Sequence, residues 1–273
     1  MITGASTGIG HAAAVRLAAS GFDVYAGVRN DADAERLRAA GLRPLTIDVT
    51  DAESIAAAAH EVGEAVGAAG LAGLVNNAGI AVSGPVELIP IESWRRQLEV
   101  NVIGQVAAIQ AFLPLLRAGR GRIVNVSSVG GRIALPLVGP YAASKFALEA
   151  ISDSLRRELR DQDVGVSLIE PGGVRTPIWD KGLSEADAIE AAMPPEGHRL
   201  YGGLVAALRR HVAAIQTKTG IEPEQVAEPI VHALTAKKPR TRYLVGRDAK
   251  IQATVARIVP DRVFDALVAR QLR

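Results

Sequence analysis

The sequence predicts an α/β protein: a three-layer, doubly wound parallel sheet in a single domain over residues 1–273. Three observations carry that prediction. Short apolar runs alternate with longer Ala-rich stretches, a glycine-rich turn opens the first of those stretches, and no repeat or linker-like segment divides the chain. Strands that alternate with helices form parallel βαβ units in one sheet. A chain of 273 residues is long enough to bury a substantial core.

The elements follow in order. A first strand is nearly missing, because only Met1 and Ile2 precede Thr3-Gly4-Ala5-Ser6-Thr7-Gly8-Ile9-Gly10. Residues 9–20 read as a helix and 22–28 as a strand. A second strand spans 44–49 and contains Asp48; a helix covers 51–69. Leu74 and Val75 lead into Asn76-Asn77-Ala78-Gly79. Residues 93–116 form a long helix, 121–127 a β-branched strand, 141–160 a helix, 164–170 a strand and 242–246 a last strand. Alanine runs such as 56–59 favour helix. Two regions break the rhythm. Residues 180–220 form a long insertion with Pro194 and Pro195, expected as a substrate-binding lid, with a tolerated surface excursion as the rival. Residues 247–273 form a helical tail.

Composition removes several classes of function. The chain has 31 Lys and Arg against 29 Asp and Glu, a net charge of +2, too small to argue for nucleic acid. It has no cysteine, which excludes disulfides, thiol nucleophiles and zinc–thiolate sites. The 48% hydrophobic and 22% charged content is that of an ordered globule. No charged segment followed by an apolar run opens the chain, and the apolar stretch 106–116 is short and holds Gln110 and Pro114. The expectation is therefore a cytoplasmic protein without stable membrane insertion. His11, His60, His198, His211 and His232 show no ligand spacing, so no metal is expected. His11 reads as a helix-surface residue.

Gly4, Gly8 and Gly10 end a strand and open a helix. Glycines let the backbone turn tightly and approach a diphosphate, and a helix N-terminus favours an anion. The spacing is G-x-x-x-G-x-G, for which a purely structural turn is the rival. About 20 residues on, where dinucleotide folds contact the adenosine ribose, the chain reads Gly27-Val28-Arg29-Asn30. An acid there would repel a 2′-phosphate, whereas Arg29 offers a cationic fork. This favours NADP(H), with NAD(H) as the alternative cofactor and a solvated Arg29 as the rival reading. Tyr141 and Lys145 stand at i and i+4 of a helix and share a face. An ammonium beside a phenol favours the phenolate, and lowering its pKa by about 3 units needs roughly 4 kcal/mol.

Thr3 to Gly10, Asn76 to Gly79, Asn101, Ser128, Tyr141 with Lys145, and Pro171-Gly172 occur in one order with fitting spacing. Over about residues 1–180 the chain resembles the short-chain dehydrogenase/reductase family, whose fold is a Rossmann-type sheet. The resemblance implies hydride exchange between a nicotinamide and a carbonyl or alcohol. It implies that Tyr141 transfers a proton to or from the substrate oxygen. Lys145 would lower the tyrosine pKa and hold the nicotinamide ribose, and Ser128, thirteen residues before Tyr141, would hydrogen-bond the substrate. Ser127 points the other way along the strand. Asn101 would hold a water in a relay through Lys145. For the cofactor it implies Gly4, Ser6, Thr7, Gly8, Ile9 and Gly10 at the diphosphate and Asp48 with Val49 at the adenine. Asn76, Ala78 and Gly79 would border the adenosine, while Asn77 is structural. Pro171, Gly172, Val174 and Thr176 would face the carboxamide, with Arg175 a surface charge.

Two departures stand out. The missing first strand implies either a trimmed start or a lost central support, the latter destabilising. Thr7 stands where many NADP-dependent members carry a basic residue, so NADP(H) rests on Arg29. The Asn101 and Tyr141 helices are apolar over much of their circumference, with Trp94 and Phe112 as packing residues. The resemblance implies a homodimer or homotetramer through these helices. The tail carries Arg247, Lys250, Arg257, Arg262, Arg270 and Arg273 against Asp248, Asp261 and Asp265. Its Val263, Phe264, Leu267 and Val268 fit either a helix packed on the domain or a membrane-surface helix. The expected function is an NADP(H)-dependent interconversion of a ketone or aldehyde and an alcohol. Ile178, Trp179, Met193, Leu200 and Leu204 in or near the insertion, and the likeness of the tail to that of steroid- and retinoid-acting relatives, point to an apolar substrate. The alternatives are a 3-oxoacyl thioester reductase and a non-catalytic NADP-binding regulator.

Overall fold

The computed structural model describes residues 1–271, so Arg273 of the tail lies outside the described residues. Among the described residues six parallel strands run β1 (Tyr25–Val28), β2 (Arg43–Thr46), β3 (Gly73–Asn76), β4 (Arg122–Val126), β5 (Gly165–Pro171) and β6 (Arg242–Val245). β1 pairs with β2, and β3, β4, β5 and β6 pair in that order. The two blocks meet at Ile2, which bridges Ala26 on one side and Val75 on the other. Ile2 N–H donates to Tyr25 O (2.9 Å), Gly27 N–H donates to Ile2 O (2.7 Å), and Val75 N–H donates to Met1 O (2.9 Å). Two residues thus supply the pairing that the nearly missing first strand was expected to provide, and the sheet is continuous from β2 to β6.

Side chains on the strands alternate between two cores, as a period of two requires. Ile2, Ala26, Val28, Val75, Val124 and Ile169 face α1 (Gly8–Ala19), α2 (Asp31–Ala39) and α9 (Pro223–Thr235). Tyr25, Leu45, Leu74, Ile123 and Val166 face α3 (Ala52–Val66) and α5 (Gly104–Ala118). The sheet is therefore covered on both faces, which is the doubly wound single-domain fold.

Two of these helices escape a search for apolar periodicity. α2 buries only Ala34 and Leu37; it is started by Asn30, whose side chain accepts from Asp33 N–H, and carries acids in its first turn and Arg36 and Arg38 in its last. α9 begins with a capping box between Glu222 and Gln225 and Pro223 at its first position. The expected helix 93–116 is α4 (Ile91–Leu98), a π turn (Glu99–Ile103) and α5 in one continuous run. By length and composition this run could cross a membrane, yet its Ile109, Phe112 and Leu116 are spent on the core.

The insertion is helical. α7 (Ile178–Ala191) and α8 (Pro195–Ala214) pack Ile189, Met193 and Val205 on Val82, Ile89 and Leu137, over the C-terminal edge of the sheet. After α6 (Gly139–Glu158) and β6, the tail folds as α10 (Arg247–Ile258) and α11 (Asp261–Gln271). Ala249, Ala253 and Phe264 seat it on Val129 and Ile133, while Ile251, Ile258, Val263 and Leu267 remain exposed.

Gly104, where the π turn ends, has no room for a side chain: a Cβ would run into the carbonyl and side chain of Val49. Gly104→Ala is therefore expected to lower the thermal midpoint by roughly 3–10 °C, about 1–3 kcal/mol of overpacking. A thermal melt that superimposes on the wild type would contradict this packing.

Candidate active site

The C-terminal ends of the strands open into a cavity of about 620 Å³. Its floor is the glycine loop (Gly4, Ser6, Thr7, Gly8 and Ile9). Arg29, Asn30, Asp48 and Val49 line the side above β1 and β2, and Ser127, Ser128, Tyr141 and Lys145 the side above β4 and β5. Ala78, Gly79, Pro171, Gly172, Val174 and Thr176 complete the walls, and Ile178, Trp179, Lys181 and Glu185 overhang from α7.

The glycine loop is wedged rather than loose. Gly4 and Gly8 have φ of +65° and +59°, and a Cβ on Gly4 would stand 2.8 Å from Ala78 Cα, one on Gly8 3.0 Å from Thr176 Cγ2. Asn77 ties the loop down: its Nδ2 donates to Thr3 O (3.1 Å) and Gly4 O (2.9 Å). Thr3 Oγ1 accepts from Asn77 N–H and Ala78 N–H, both at 3.0 Å. α1 begins above this loop with no side-chain cap and no acid in its first turn. Its first N–H groups and its dipole therefore suit an anion. With Arg29 at the adenosine end, the cradle fits a dinucleotide with a phosphate on its ribose. Asp48 accepts from Thr50 N–H (2.9 Å) and Thr50 Oγ1 (2.7 Å). Burial pushes that carboxyl up, but the Thr50 hydrogen bonds and the charge of Arg29 outweigh it and hold it below its usual value.

On the opposite wall α6 presents Tyr141 and Lys145 one turn apart. The Lys145 ammonium is buried, lies 5.7 Å from the Tyr141 ring centroid and donates to Val126 O (2.8 Å). Burial pulls Lys145 down to about 8, opposed by the negative charge of Glu149. Burial pushes the Tyr141 phenol up, and a hydrogen bond with Ser128 pulls it back. In the protein alone the phenol stands above its ordinary value, because burial outweighs the Ser128 hydrogen bond. Ser128 Oγ accepts from Gly130 N–H (3.0 Å).

Three expected site residues sit elsewhere. Asn101, in the π turn, is 1% exposed: Oδ1 accepts one bond, from Ile80 N–H (2.9 Å), and Nδ2 donates to Ile80 O (3.0 Å) and Ser144 Oγ (3.1 Å). Its side chain positions the 80–82 wall instead of reaching into the cavity. Asn76 is buried in the core, where Nδ2 donates to Asn125 Oδ1 (3.0 Å), and it does not line the cavity. Gly10 lies beneath the loop, where a Cβ would run into Asn77 Nδ2 and Gly4 O; its place is one of packing.

Other positioning groups were not anticipated. Asp248 Oδ2 accepts from Gly173 N–H (2.8 Å) and holds the 171–174 turn from the tail. Gln97 Oε1 accepts from Val82 N–H (2.7 Å), and Gln105 Nε2 donates to Ala78 O. Gln97, Asn101 and Gln105 recur every fourth residue, a polar stripe on an apolar helix that was legible in the sequence. Among the described residues no group of three or more His, Asp or Glu side chains is placed to hold a metal.

Comparison with known proteins agrees with this geometry. Residues 1–187 match the short chain dehydrogenase family. The chain is 38% identical to an NADPH-dependent 3-dehydrocapnine reductase of Ornithobacterium rhinotracheale, over 100% of this chain and 96% of that protein. It is 40% identical to retinol dehydrogenase 5 of Mus musculus, over 98% and 86%. A short chain dehydrogenase from Burkholderia cenocepacia J2315, solved in complex with NADP, superimposes with a TM-score of 0.74 at 27% identity, covering 100% and 96%.

Removing the Asn77 tether tests the wedge. Asn77→Ala loses two hydrogen bonds and is expected to destabilise the protein by about 1–3 kcal/mol in urea unfolding and to weaken NADPH in a fluorescence titration. Unchanged stability and unchanged NADPH affinity would show that the loop holds itself.

Proposed function

The chain belongs to the short-chain dehydrogenase/reductase family and is an NADP(H)-dependent oxidoreductase of CH–OH and C=O groups; we propose that its substrate is an apolar, lipid-, steroid- or retinoid-like ketone, aldehyde or alcohol. The observation that carries this is the meeting of Ser128, Tyr141 and Lys145 on one wall of a cavity whose outer rim includes Ile80, Ala81, Ile178 and Trp179. The similarity to a retinol dehydrogenase supports an apolar alcohol.

When bound, the nicotinamide supplies or accepts the hydride. Gly4, Ser6, Thr7, Gly8 and Ile9 would hold the diphosphate at the α1 N-terminus, Arg29 would take the 2′-phosphate, and Asp48 with Val49 would border the adenine. Ala78 and Gly79 wall the adenosine side. Pro171, Gly172, Val174 and Thr176 orient the carboxamide, in a turn that Asp248 and the Trp179 Nε1 bond to Val174 O (2.8 Å) keep in place. Ser128 orients the substrate oxygen toward Tyr141. In reduction Tyr141 gives its phenolic proton to that oxygen; a phenol kept protonated by burial suits the acid role. Lys145 stabilises the phenolate that remains and holds the nicotinamide ribose. Ile103 and Phe146, exposed on the helix run that carries Asn101 and on α6, fit a homo-oligomer contact.

Two substitutions separate the roles. Tyr141→Phe is expected to leave NADPH binding near normal and to lower turnover by about 10²- to 10⁴-fold; comparable turnover would remove Tyr141 from proton transfer. Arg29→Ala is expected to weaken NADPH by about 10- to 100-fold and NADH little, since only NADPH loses a charge-assisted hydrogen bond. Equal weakening of both would refute the 2′-phosphate assignment.

A further inference from the structure

Behind Tyr141 and Lys145 lies a buried carboxylate with one unsatisfied oxygen. Glu149 stands one turn beyond Lys145 on α6 and is 9% exposed. Its Oε2 accepts from Arg242 Nε (3.1 Å), while Oε1 has no hydrogen-bond partner among the described residues. The Ser127 hydroxyl is equally buried and lies on the same side; burial and the charge of Glu170 push the Glu149 carboxyl up, and Ser127 and Arg242 pull it back. The two groups flank Gly131: a Cβ there would stand 3.0 Å from Ser127 Oγ, 2.9 Å from Glu149 Cγ and 3.0 Å from the Lys145 carbonyl. A side chain at 131 would collide with all three, so glycine is what lets the catalytic helix and the end of the catalytic strand approach this closely.

The charges around Glu149 are unevenly matched. From its own helix it meets Lys145 and Asp153; from β6, Arg242; from β5, the fully buried Glu170; beyond Ser128, Arg132. Arg132 is committed to Glu170 by two bonds (Nε 2.6 Å, Nη2 2.9 Å). Arg242 is divided among Glu149, Asp153 (2.8 Å) and Glu170 (3.2 Å). Asp153 also draws on Arg156 (3.0 Å) and Arg157 (3.8 Å). Glu149 therefore shares one arginine with two other carboxylates, and among the described residues Lys145 donates to the Val126 carbonyl and has no carboxylate at ion-pair distance.

We propose that Glu149 is a positioning residue for the reaction, whose carboxylate keeps Lys145 an ammonium in its buried place beside Tyr141. This rests on Tyr141 and Lys145 being the proton-transfer pair. Desolvation drives Lys145 toward the neutral amine and the negative field of Glu149 opposes it. A neutral Lys145 would neither stabilise the tyrosinate nor grip the nicotinamide ribose as a cation. Neutralising Glu149 must then let Lys145 lose its proton at a lower pH.

The test compares the wild type, Glu149→Asp and Glu149→Gln in two pH profiles: kcat/KM for NADPH-driven reduction of an apolar ketone, and NADPH affinity by fluorescence. The expected alkaline limb of both moves to lower pH by about one unit in Glu149→Gln and by less in Glu149→Asp, which keeps the charge but withdraws it. Profiles that superimpose in all three proteins would overturn the proposal, whatever the variants do to thermal stability. Should Glu149→Gln not fold, Glu149→Asp decides: a displaced limb supports the proposal and an unmoved limb overturns it. Tyr141→Phe in parallel separates the two readings. If that variant retains turnover, the proton-transfer assignment has failed, while the pH dependence of NADPH affinity still reports on Glu149.

Discussion

One buried ammonium organises this molecule. Lys145 is enclosed between α6 and the end of β4 and gives its hydrogen bond to a backbone carbonyl, not to a carboxylate. Burying a charge is costly unless it is hydrogen-bonded and balanced. That bond ties α6 to the end of β4, and a layer of paired charges lies behind it. Glu149, Glu170, Asp153, Arg132 and Arg242 form a network beneath a cavity that could otherwise have been lined with aliphatic residues. Such a network adds little net stability, but losing Arg132 or Arg242 would leave the fully buried Glu170 short of a partner. The phenol of Tyr141 and the hydroxyl of Ser128 sit at the mouth of this charged layer, where burial keeps the first protonated.

The other half of the cavity obeys a steric constraint. The glycine loop lies against Ala78 on one side and Thr176 on the other, so the segments that would grip the two ends of a dinucleotide brace each other before it binds. The π turn at Asn101 belongs to the same arrangement. It aims the Asn101 amide at Ile80 and Ser144, and it brings Gly104 into contact with Val49. π turns recur at functional sites because they re-aim a helix face. The insertion then seats Ile189, Met193 and Val205 on the wall that Asn101 and Gln97 steady.

What was legible in the sequence had short-range causes. The β-branched runs, the glycine turn and the Tyr141–Lys145 pair declare themselves through periodicity of two or four, and the strands β4, β5 and β6 lie close to where alternation put them. α2 was missed because its helix is stabilised by a cap and charges at its ends rather than by an apolar stripe. Ile2 could not be read as a strand because it is completed by partners at Ala26 and Val75, both distant in sequence. Asn76 and Asn101 match a family pattern that names positions but not side-chain directions, and only the fold shows that one is core and the other a brace. Asp248 could not be tied to Gly173 without the tail's docking.

The chain oxidises or reduces a carbonyl–alcohol pair with NADP(H), and the apolar character of that pair is what we propose. The most direct measurement follows the absorbance of NADPH and, separately, NADH over a panel of aliphatic ketones, aldehydes, steroids, retinoids and acyl thioesters. Oxidation of NADPH by at least one apolar ketone or aldehyde, faster than with NADH, is the expected result. No change in absorbance with any compound, in a protein that binds NADPH, would contradict it.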